Sequence, residues 1–302
     1  MTRPITAGVD GSPESAAAAA WAAREAVRRE LPLRLVHVGT PVPEALALAA
    51  DEDARARWAR DLLAETGQQI AERHPGLATT TDVLDEDGAA EALLAAARDA
   101  ELLALGSRGH GPLVGFLLGS VGQQVIARAE RPVVLVRSDD RPAGEAAGRE
   151  VVVGQEGDPL DSAAALEFAF RTAAARGAAV RAVRAWSLPP VFAYSPASLG
   201  LLDESGGMEP YEKKALGEAL APWRERFPDV PVTEHVEIGS AGQVLLSVAP
   251  RAQLLVVGRR ARRTAVGARI GSVAHAVLHH APCPVTVVPV VPHTGGTGLT
   301  VR

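Results

Sequence analysis

The sequence predicts an α/β protein made of two tandem, doubly wound domains. Its length of 302 residues suits two domains of about 150 residues each. A set of glycine, serine and proline positions recurs between the two halves, and each half alternates short apolar strands with helices. This alternation favours right-handed βαβ units, in which a parallel sheet carries helices on both faces.

The repeat consists of matching residues that lie the same distance apart along the chain. They pair Gly106 with Gly258, Gly119-Ser120 with Gly271-Ser272, and Pro132 with Pro284. The halves also begin alike, because Gly8-Val-Asp-Gly-Ser-Pro resembles Gly154-Gln-Glu-Gly-Asp-Pro. We therefore place the domains at residues 1–138 and 150–291, with a polar linker between them.

The predicted strands of the first half are short apolar runs, and the segments between them have helical spacing or are rich in alanine. In chain order the strands are Pro4–Val9, Leu33–Val38, Ala78–Leu84, Leu102–Leu105 and Val133–Val136. The helices are Glu14–Glu30, Asp51–Arg73, Ala89–Arg98 and Val121–Ala129. The second half repeats this order from Val151, with a longer connection, rich in Pro, Ser and Gly, over 187–210.

The composition argues against a nucleic-acid protein and a membrane protein. The formal net charge is −5, so no general basic field is available to hold phosphate backbones. No apolar run reaches the length of a membrane span, and the chain opens directly on a strand, so no signal peptide is expected. We therefore expect a cytoplasmic protein. The single cysteine, Cys283, lies in an apolar run and is expected to be buried and structural.

Two common nucleotide-binding signatures are missing. A Walker A loop requires Gly-Lys-Ser/Thr, whereas the only lysines, Lys213 and Lys214, do not follow a glycine. The chain is therefore not a P-loop NTPase. The strict Gly-x-Gly-x-x-Gly dinucleotide fingerprint is absent as well.

A glycine-rich stretch of the first half, residues 106–120, lies between a predicted strand and a predicted helix. In doubly wound sheets, ligands bind beyond the carboxyl ends of the strands, where the strand order reverses. Gly106 and Gly109 let the backbone turn tightly and approach a ligand closely. Gly119 and Ser120 stand at the start of the helix, where Ser120 is expected to cap it and the backbone N–H groups favour a phosphate.

Three further side chains belong to the predicted crevice. The hydroxyl of Ser107 and the charge of Arg108 are expected to help hold phosphates. Asp10 follows the first strand, and its carboxylate would repel phosphates. We therefore place Asp10 at the base or sugar end of a ligand, where it accepts a hydrogen bond from an amino or hydroxyl group.

The spacing Gly-x2-Gly-x9-Gly-Ser, from Gly106 to Ser120, resembles the ATP-binding signature of the universal stress protein family. The opening Gly8-Val9-Asp10-Gly11-Ser12 is similar to the family's first strand, whose aspartate contacts the adenosine. His37-Val38 is similar to its second strand, where the valine backbone meets the adenine. The resemblance covers nearly the whole chain, twice.

This resemblance implies a fold and a ligand. The fold is Rossmann-like and similar to the adenine nucleotide alpha hydrolases, with five parallel strands in order 3-2-1-4-5. Members often pair through their last strands, which implies an internal pseudo-dimer here and leaves open a homodimer. The implied ligand is ATP, with Mg²⁺ or Mn²⁺ bound through its phosphates. The implied binding residues are Gly8, Asp10, Gly11, Ser12, Val38, Gly106, Ser107, Arg108, Gly109, Gly119, Ser120 and Val121.

The second half departs from the signature at several positions. Ala261 replaces Gly109, Glu156 replaces Asp10, and Ala185 replaces Val38. An alanine methyl where φ > 0 is needed costs about 1 kcal/mol and obstructs a ligand. The nearby arginines, Arg259, Arg260, Arg262 and Arg263, allow either a solvated loop on a degenerate copy or an altered anion site. The candidate residues here are Glu156, Gly258, Arg259, Gly271 and Ser272.

We expect an ATP-binding regulator of a stress or growth-arrest response with an unidentified protein partner, rather than an enzyme with high turnover. Two alternatives stay open: a scaffold whose nucleotide site is vestigial, and a slow ATPase. His275 and His279 lie four residues apart on a predicted helix, but two histidines do not make a metal site, and no metal site is predicted.

Overall fold

The computed structural model describes residues 2–39, 52–84, 88–107, 119–140, 149–157, 159–187, 207–259, 263–264, 267–268 and 270–289. The first half contains β1 (Ile5–Gly8), α1 (Pro13–Arg29), β2 (Leu33–Val38), α2 (Glu52–Arg73), β3 (Thr79–Leu84), α3 (Ala89–Arg98), β4 (Leu102–Ser107), α4 (Ser120–Arg128) and β5 (Val133–Arg137). The second half contains β6 (Glu150–Gly154), α5 (Pro159–Arg176), β7 (Val180–Trp186), α6 (Glu209–Arg226), β8 (Val232–Ile238), α7 (Ala241–Val248), β9 (Ala252–Arg259), β10 (Arg263–Thr264), β11 (Gly267–Ala268), α8 (Ser272–His280) and β12 (Val285–Pro289).

One ten-stranded sheet runs through both halves in the order β3-β2-β1-β4-β5-β12-β9-β6-β7-β8. Each half therefore has the order 3-2-1-4-5, and its own strands pair in parallel. The predicted fold class is confirmed. The halves meet where β5 and β12, the last strand of each, pair antiparallel, with Val133 opposite Val287.

Helices cover both faces of the sheet, and each face has one continuous apolar core. On one face α1, α2, α5 and α6 pack through residues such as Trp21, Leu166 and Leu216. On the other face α3, α4, α7 and α8 pack through residues such as Ile126 and Val277. Because both cores cross the β5–β12 junction, burial of apolar surface holds the two halves together as well as each half alone.

The start of α1 shows how local sequence positions the future site. Ser12 is the N-cap, and its hydroxyl accepts a hydrogen bond from the N–H of Ser15 at 3.2 Å. Pro13 is the first helical residue, where its missing N–H costs nothing. Alanines then fill the buried face and let the helix approach the sheet closely. The chain from β1 into α1 is thereby fixed over the carboxyl end of the sheet.

A short antiparallel hairpin, β10–β11, was not predicted. It pairs Arg263 with Ala268 and Thr264 with Gly267, within the arginine-rich segment of the second half. Two-residue strands carry no detectable period in the sequence. Residues 141–148, the middle of the predicted linker between the two domains, lie outside the described residues.

Candidate functional site

A cavity of about 310 Å³ opens in the first half, beyond the carboxyl ends of β1, β2 and β4. It lies at the point where the strand order reverses, between β1 and β4, as expected for a ligand site in this fold. Its size is at the lower end of the range for small-molecule sites. The lining residues come from the strand ends, the first turn of α1, α3 and the start of α4: Gly8, Val9, Asp10, Ser12, Glu14, Ser15, Val36, His37, Val38, Ala89, Leu93, Leu105, Gly106, Gly119, Ser120, Val121 and Gly122.

Asp10 is held in the cavity wall by its own turn. One carboxylate oxygen, Oδ1, accepts hydrogen bonds from the backbone N–H of Ser12 at 3.0 Å and from its hydroxyl at 2.5 Å. The backbone N–H of Asp10 donates to the hydroxyl of Ser15 at 3.2 Å. This local hydrogen bonding fixes the direction of the carboxylate before any ligand arrives.

His37 gives the β2 end of the cavity a defined hydrogen-bonding edge. Its Nδ1 lies 2.7 Å from the carbonyl oxygen of Val9, which can only accept, so Nδ1 carries a proton. The His37 ring also packs edge-to-face against the half-exposed Trp58 of α2, at 5.3 Å between centroids. Val38, the next residue, lines the cavity at the end of β2.

Packing inside the protein requires a glycine at position 106, whether or not a ligand is bound. A Cβ built at this position would lie 2.5 Å from the carbonyl carbon of Glu14 and 2.7 Å from the N of Ser15. No side chain fits there, because β4 presses directly against the first turn of α1. Gly106 thus sets the distance between the two elements that form opposite parts of the cavity wall.

The amino end of α4 forms another wall, and here one expectation is wrong. Ser120 does not cap α4: Gly119 is the N-cap, its carbonyl accepts from the N–H of Gln123 at 3.0 Å, and none of the described side chains caps the helix. The helix begins one residue earlier than expected, which makes Ser120 its first residue. An N-terminus without a side-chain cap presents N–H donors and the positive end of the helix dipole, both of which suit an anion.

Gly119 differs from Gly106 in its surroundings. A Cβ built on Gly119 would meet no described atom within 4 Å, and its φ of −58° is one that any residue adopts. A side chain at this position would extend into open space beside the cavity. Packing among the described residues does not require a glycine there.

The electrostatic character of the cavity is mixed. Two carboxylates, Asp10 and Glu14, belong to its lining, and no described lysine or arginine does. Among the described residues, its positive character comes from helix amino ends, because those of α1, α3 and α4 all contribute lining residues. A highly charged anion would therefore need a further cation near it.

The structure gathers most of the predicted first-half residues in this cavity. Eight line it: Gly8, Asp10, Ser12, Val38, Gly106, Gly119, Ser120 and Val121. Gly11 and Ser107 do not, and the buried Ser107 hydroxyl donates to the carbonyl of Val136 at 3.2 Å instead. Arg108 and Gly109 lie outside the described residues.

Sequence reasoning missed the apolar wall. Leu93 and Ala89 of α3, Val36 and Leu105 line the cavity, yet each resembles any other core residue in the sequence. It also missed Ser15, whose position after the cap at Ser12 was the available signal.

The equivalent cavity of the second half is much smaller, at about 70 Å³. Glu156 and Gly258 line it, as predicted, whereas Gly271, Ser272 and Arg259 are not in its lining. None of the described residues of β7 lines it either, although the corresponding strand β2 contributes three residues to the first cavity. Among the described residues, the second cavity therefore lacks the end that β2 forms in the first cavity.

Arg184 accounts for part of this difference. It occupies the place of His37, and its guanidinium bonds the side chains of Gln155 and Glu212 and the carbonyl of Gly157 at 3.3 Å. A long, paired side chain thus fills the region where the first half keeps a flat ring.

Arg259 has a partner in the other half of the molecule. It is buried, and its guanidinium donates to the backbone carbonyls of Ala127, at 2.7 Å, and Ala129. Burial lowers its pKa below the ordinary arginine value. With its donors engaged at the end of α4, this side chain is not directed at a phosphate in the second half.

Two negative observations concern the described residues. None of their helices has the length and apolar character to cross a membrane. His275 and His279 lie side by side on α8, with ring centroids 4.3 Å apart, but within the described part of the chain no third histidine, cysteine or carboxylate joins them in a metal-binding group.

Comparison with known proteins gives a consistent result over the whole chain. The model of the universal stress protein family matches residues 1–137 and again residues 149–289. A universal stress protein of Mycobacterium tuberculosis is 35% identical over 295 residues, which cover 94% of this chain and 96% of that protein. One from Mycolicibacterium smegmatis is 35% identical over 296 residues, with the same shares of both chains.

A solved structure shows the same two-domain fold. The crystal structure of a universal stress protein from Archaeoglobus fulgidus has a TM-score of 0.69 and 18% sequence identity, and covers 96% of this chain and 100% of that one.

Proposed function

Because the chain belongs to the universal stress protein family, we propose that it binds ATP in its first half and acts as a nucleotide-dependent regulator. One observation supports this most directly. The cavity of about 310 Å³ joins a carboxylate and strand ends on one side to a helix amino terminus without a side-chain cap on the other. Such a cavity offers different chemistry to the two ends of a nucleotide.

The nucleoside end lies at β1 and β2. Asp10, fixed by Ser12, accepts a hydrogen bond from a ribose hydroxyl or an amino group. Val38 offers backbone groups to the base, and the apolar side chains of Val36 and Leu93 line the space for a ring. These residues recognise adenosine through one carboxylate and backbone groups.

The phosphate end lies at α4. The first N–H groups of the helix, at Ser120 and Val121, point out of its amino end, and the Ser120 hydroxyl adds a donor beside them. Arg108 and Gly109 follow β4 directly in sequence, and in this proposal they contact the phosphates. A divalent ion, Mg²⁺ or Mn²⁺, bound through the phosphates supplies the positive charge that the described lining lacks.

The second half does not bind ATP in this proposal. Its cavity of about 70 Å³ is too small for a nucleotide, and Arg184 with its partners fills the region of the base. The tandem chain therefore combines one nucleotide site with one supporting domain. Because β12 already covers the edge of β5, a homodimer of this chain would use another surface.

This site is better suited to binding a regulatory nucleotide than to rapid catalysis. The Asp10 carboxylate, which already accepts two hydrogen bonds from Ser12, is suited to holding a ligand rather than taking up a proton. We propose a cytoplasmic protein whose nucleotide state changes its affinity for a protein partner in the response to stress or growth arrest.

Matched glycine variants test the site. Gly119 and Gly271 are equivalent, and a Cβ at either meets no described atom within 4 Å. Equilibrium dialysis with labelled ATP is expected to show that Gly119→Val abolishes binding while Gly271→Val binds as the wild type does. Both variants should stay folded and lose a similar, small amount of melting temperature, because each replaces the N-cap glycine of a short helix. Retained ATP binding in folded Gly119→Val would contradict the assignment, and a wild type without any binding would favour the scaffold alternative.

A further inference from the structure

Each half of the molecule places an arginine on the carboxyl end of a helix in the other half. Arg259, at the end of β9, donates to the carbonyls of Ala127 and Ala129 where α4 ends. Arg137, at the end of β5, donates to the carbonyl of Ala281 at 2.8 Å, where α8 ends. Guanidinium groups at these positions satisfy carbonyls that the helix leaves without partners.

The antiparallel junction makes this exchange geometrically possible. Since β5 runs against β12, the carboxyl edge of one half's strands lies beside the amino edge of the other's. The chain enters β5 directly from α4 and enters β12 directly from α8. Residues at the ends of β9 and β5 therefore reach the ends of those two helices.

Only one of the two helices belongs to the proposed nucleotide site. The amino end of α4 lines the large cavity through Gly119, Ser120, Val121 and Gly122, and its carboxyl end is held by Arg259. We propose that Arg259, a residue of the second half, is a positioning residue for the first half's phosphate site: it fixes α4 so that its amino end faces the ligand. This inference rests on the proposed ATP binding.

The physical basis is the short length of α4. A helix of nine residues has little stability of its own and depends on its packing and its ends. Arg259 supplies a buried positive charge at the negative end of the helix dipole and two hydrogen bonds. Without them, part of the binding free energy of a nucleotide must be spent on ordering α4.

Only the arginine contact from the second half to the first reaches a helix of the proposed nucleotide site. The first-half residue equivalent to Arg259 is Ser107, whose hydroxyl stays within its own half on the carbonyl of Val136. Arg137 holds α8, and the amino-terminal residues of α8, Gly271 and Ser272, do not line the small cavity. Arg137 is therefore a matched control, because it makes the same kind of contact at a helix remote from the nucleotide.

Binding measurements on Arg259→Met and Arg137→Met separate positioning from general stability. We expect Arg259→Met to raise the dissociation constant of Mg-ATP roughly tenfold and Arg137→Met to change it less than about twofold. Arg259→Lys, which keeps the charge, should recover part of the affinity and serves in place of the methionine variant if that one does not fold. Equal losses in Arg259→Met and Arg137→Met, or wild-type affinity in Arg259→Met, would overturn the inference.

Hydrogen exchange without nucleotide tests the positioning independently of ATP binding. Arg259→Met is expected to speed amide exchange in peptides covering α4, whereas Arg137→Met speeds exchange in peptides covering α8. Unchanged exchange of α4 in Arg259→Met would refute the positioning role even if ATP binds. If the wild type binds no ATP but α4 exchange responds as expected, the proposed function fails while the contact's effect on α4 stands.

Discussion

Arg29 and Arg176 are the last residues of α1 and α5, and both guanidinium groups bind the same buried carboxylate, Glu25. Arg29 reaches it within its own helix at 2.7 Å, and Arg176 reaches it from the other half, also at 2.7 Å. Arg29 in turn donates to Thr172 of α5 at 2.8 Å. Glu25 lies four residues before Arg29, and Thr172 lies four residues before Arg176. Each arginine therefore donates to the equivalent position on the other helix, which is a carboxylate in the first half and a hydroxyl in the second.

Removing the Glu25 carboxylate should destabilise the junction. Glu25→Ala leaves two largely buried guanidinium groups without their anion, and we expect the free energy of unfolding to fall by about 3–5 kcal/mol. Urea unfolding measures this. The exposed pair Glu91–Arg128 provides the control, because Glu91→Ala should change stability far less. A Glu25→Ala protein as stable as that control would show that the buried pair contributes nothing.

The same carboxylate predicts a pH dependence. Burial alone would raise the pKa of Glu25, but Arg176 and Arg29 hold it below the ordinary glutamate value. Its contribution to stability is therefore complete above the unfolded pKa of about 4.3 and is lost as the pH falls through the folded value. Unfolding free energies measured from pH 7 downward should fall less steeply in Glu25→Gln than in the wild type. Parallel profiles would contradict this.

Alanine should lower the stability of the protein much more at Gly106 than at Gly119. Gly106→Ala forces a Cβ against the backbone of Glu14 and is expected to cost about 1–3 kcal/mol of stability. Gly119→Ala places its methyl group in open space and should lower the melting temperature only slightly, because alanine is a weaker N-cap than glycine. Thermal unfolding of both variants checks this. A stable Gly106→Ala would mean that β4 and α1 are able to separate without cost.

Divalent ions should control ATP affinity. Because Asp10 and Glu14 line the cavity without a described cationic side chain, chelation with EDTA is expected to weaken ATP binding at least about tenfold. Glu14→Gln removes one repelling charge and should reduce the effect of EDTA. Binding that is insensitive to EDTA would place the compensating positive charge on the protein.

Cys283 should be an unreactive thiol. It is buried, and desolvation raises its pKa to about 12, so at pH 8 only on the order of one thiol in ten thousand is ionised. Ellman's reagent is expected to react negligibly with the folded protein and with one thiol per chain in guanidinium chloride. Rapid reaction of the native protein would show that this segment opens.

Much of the fold could be predicted because its signals are local. The strand Leu33–Val38 and the helix Ala89–Arg98 have the predicted bounds, and the remaining predicted elements of the first half shift by one or two residues at their ends. The glycine spacing placed Gly106 and Gly119 on one crevice because strand ends meet at one edge of a parallel sheet.

What could not be predicted depends on partners far away in sequence. The sequence allows Arg259 to belong either to a solvated loop or to an anion site of its own half, but its acceptors lie at the carboxyl end of α4 in the other half. Gly106 was assigned to ligand approach, whereas the backbone of Glu14 also demands a glycine there. Arg184 showed no functional pattern, and its effect on the second cavity emerges only from its contacts with Gln155 and Glu212.

Isothermal titration of Mg-ATP into the nucleotide-stripped wild-type protein tests the central claim most directly, because it reports the number of sites as well as their affinity. One site per chain is the predicted result, with a working cavity of about 310 Å³ in the first half and none in the second. Two equivalent sites, or no heat of binding at all under conditions where the protein is folded, would contradict it.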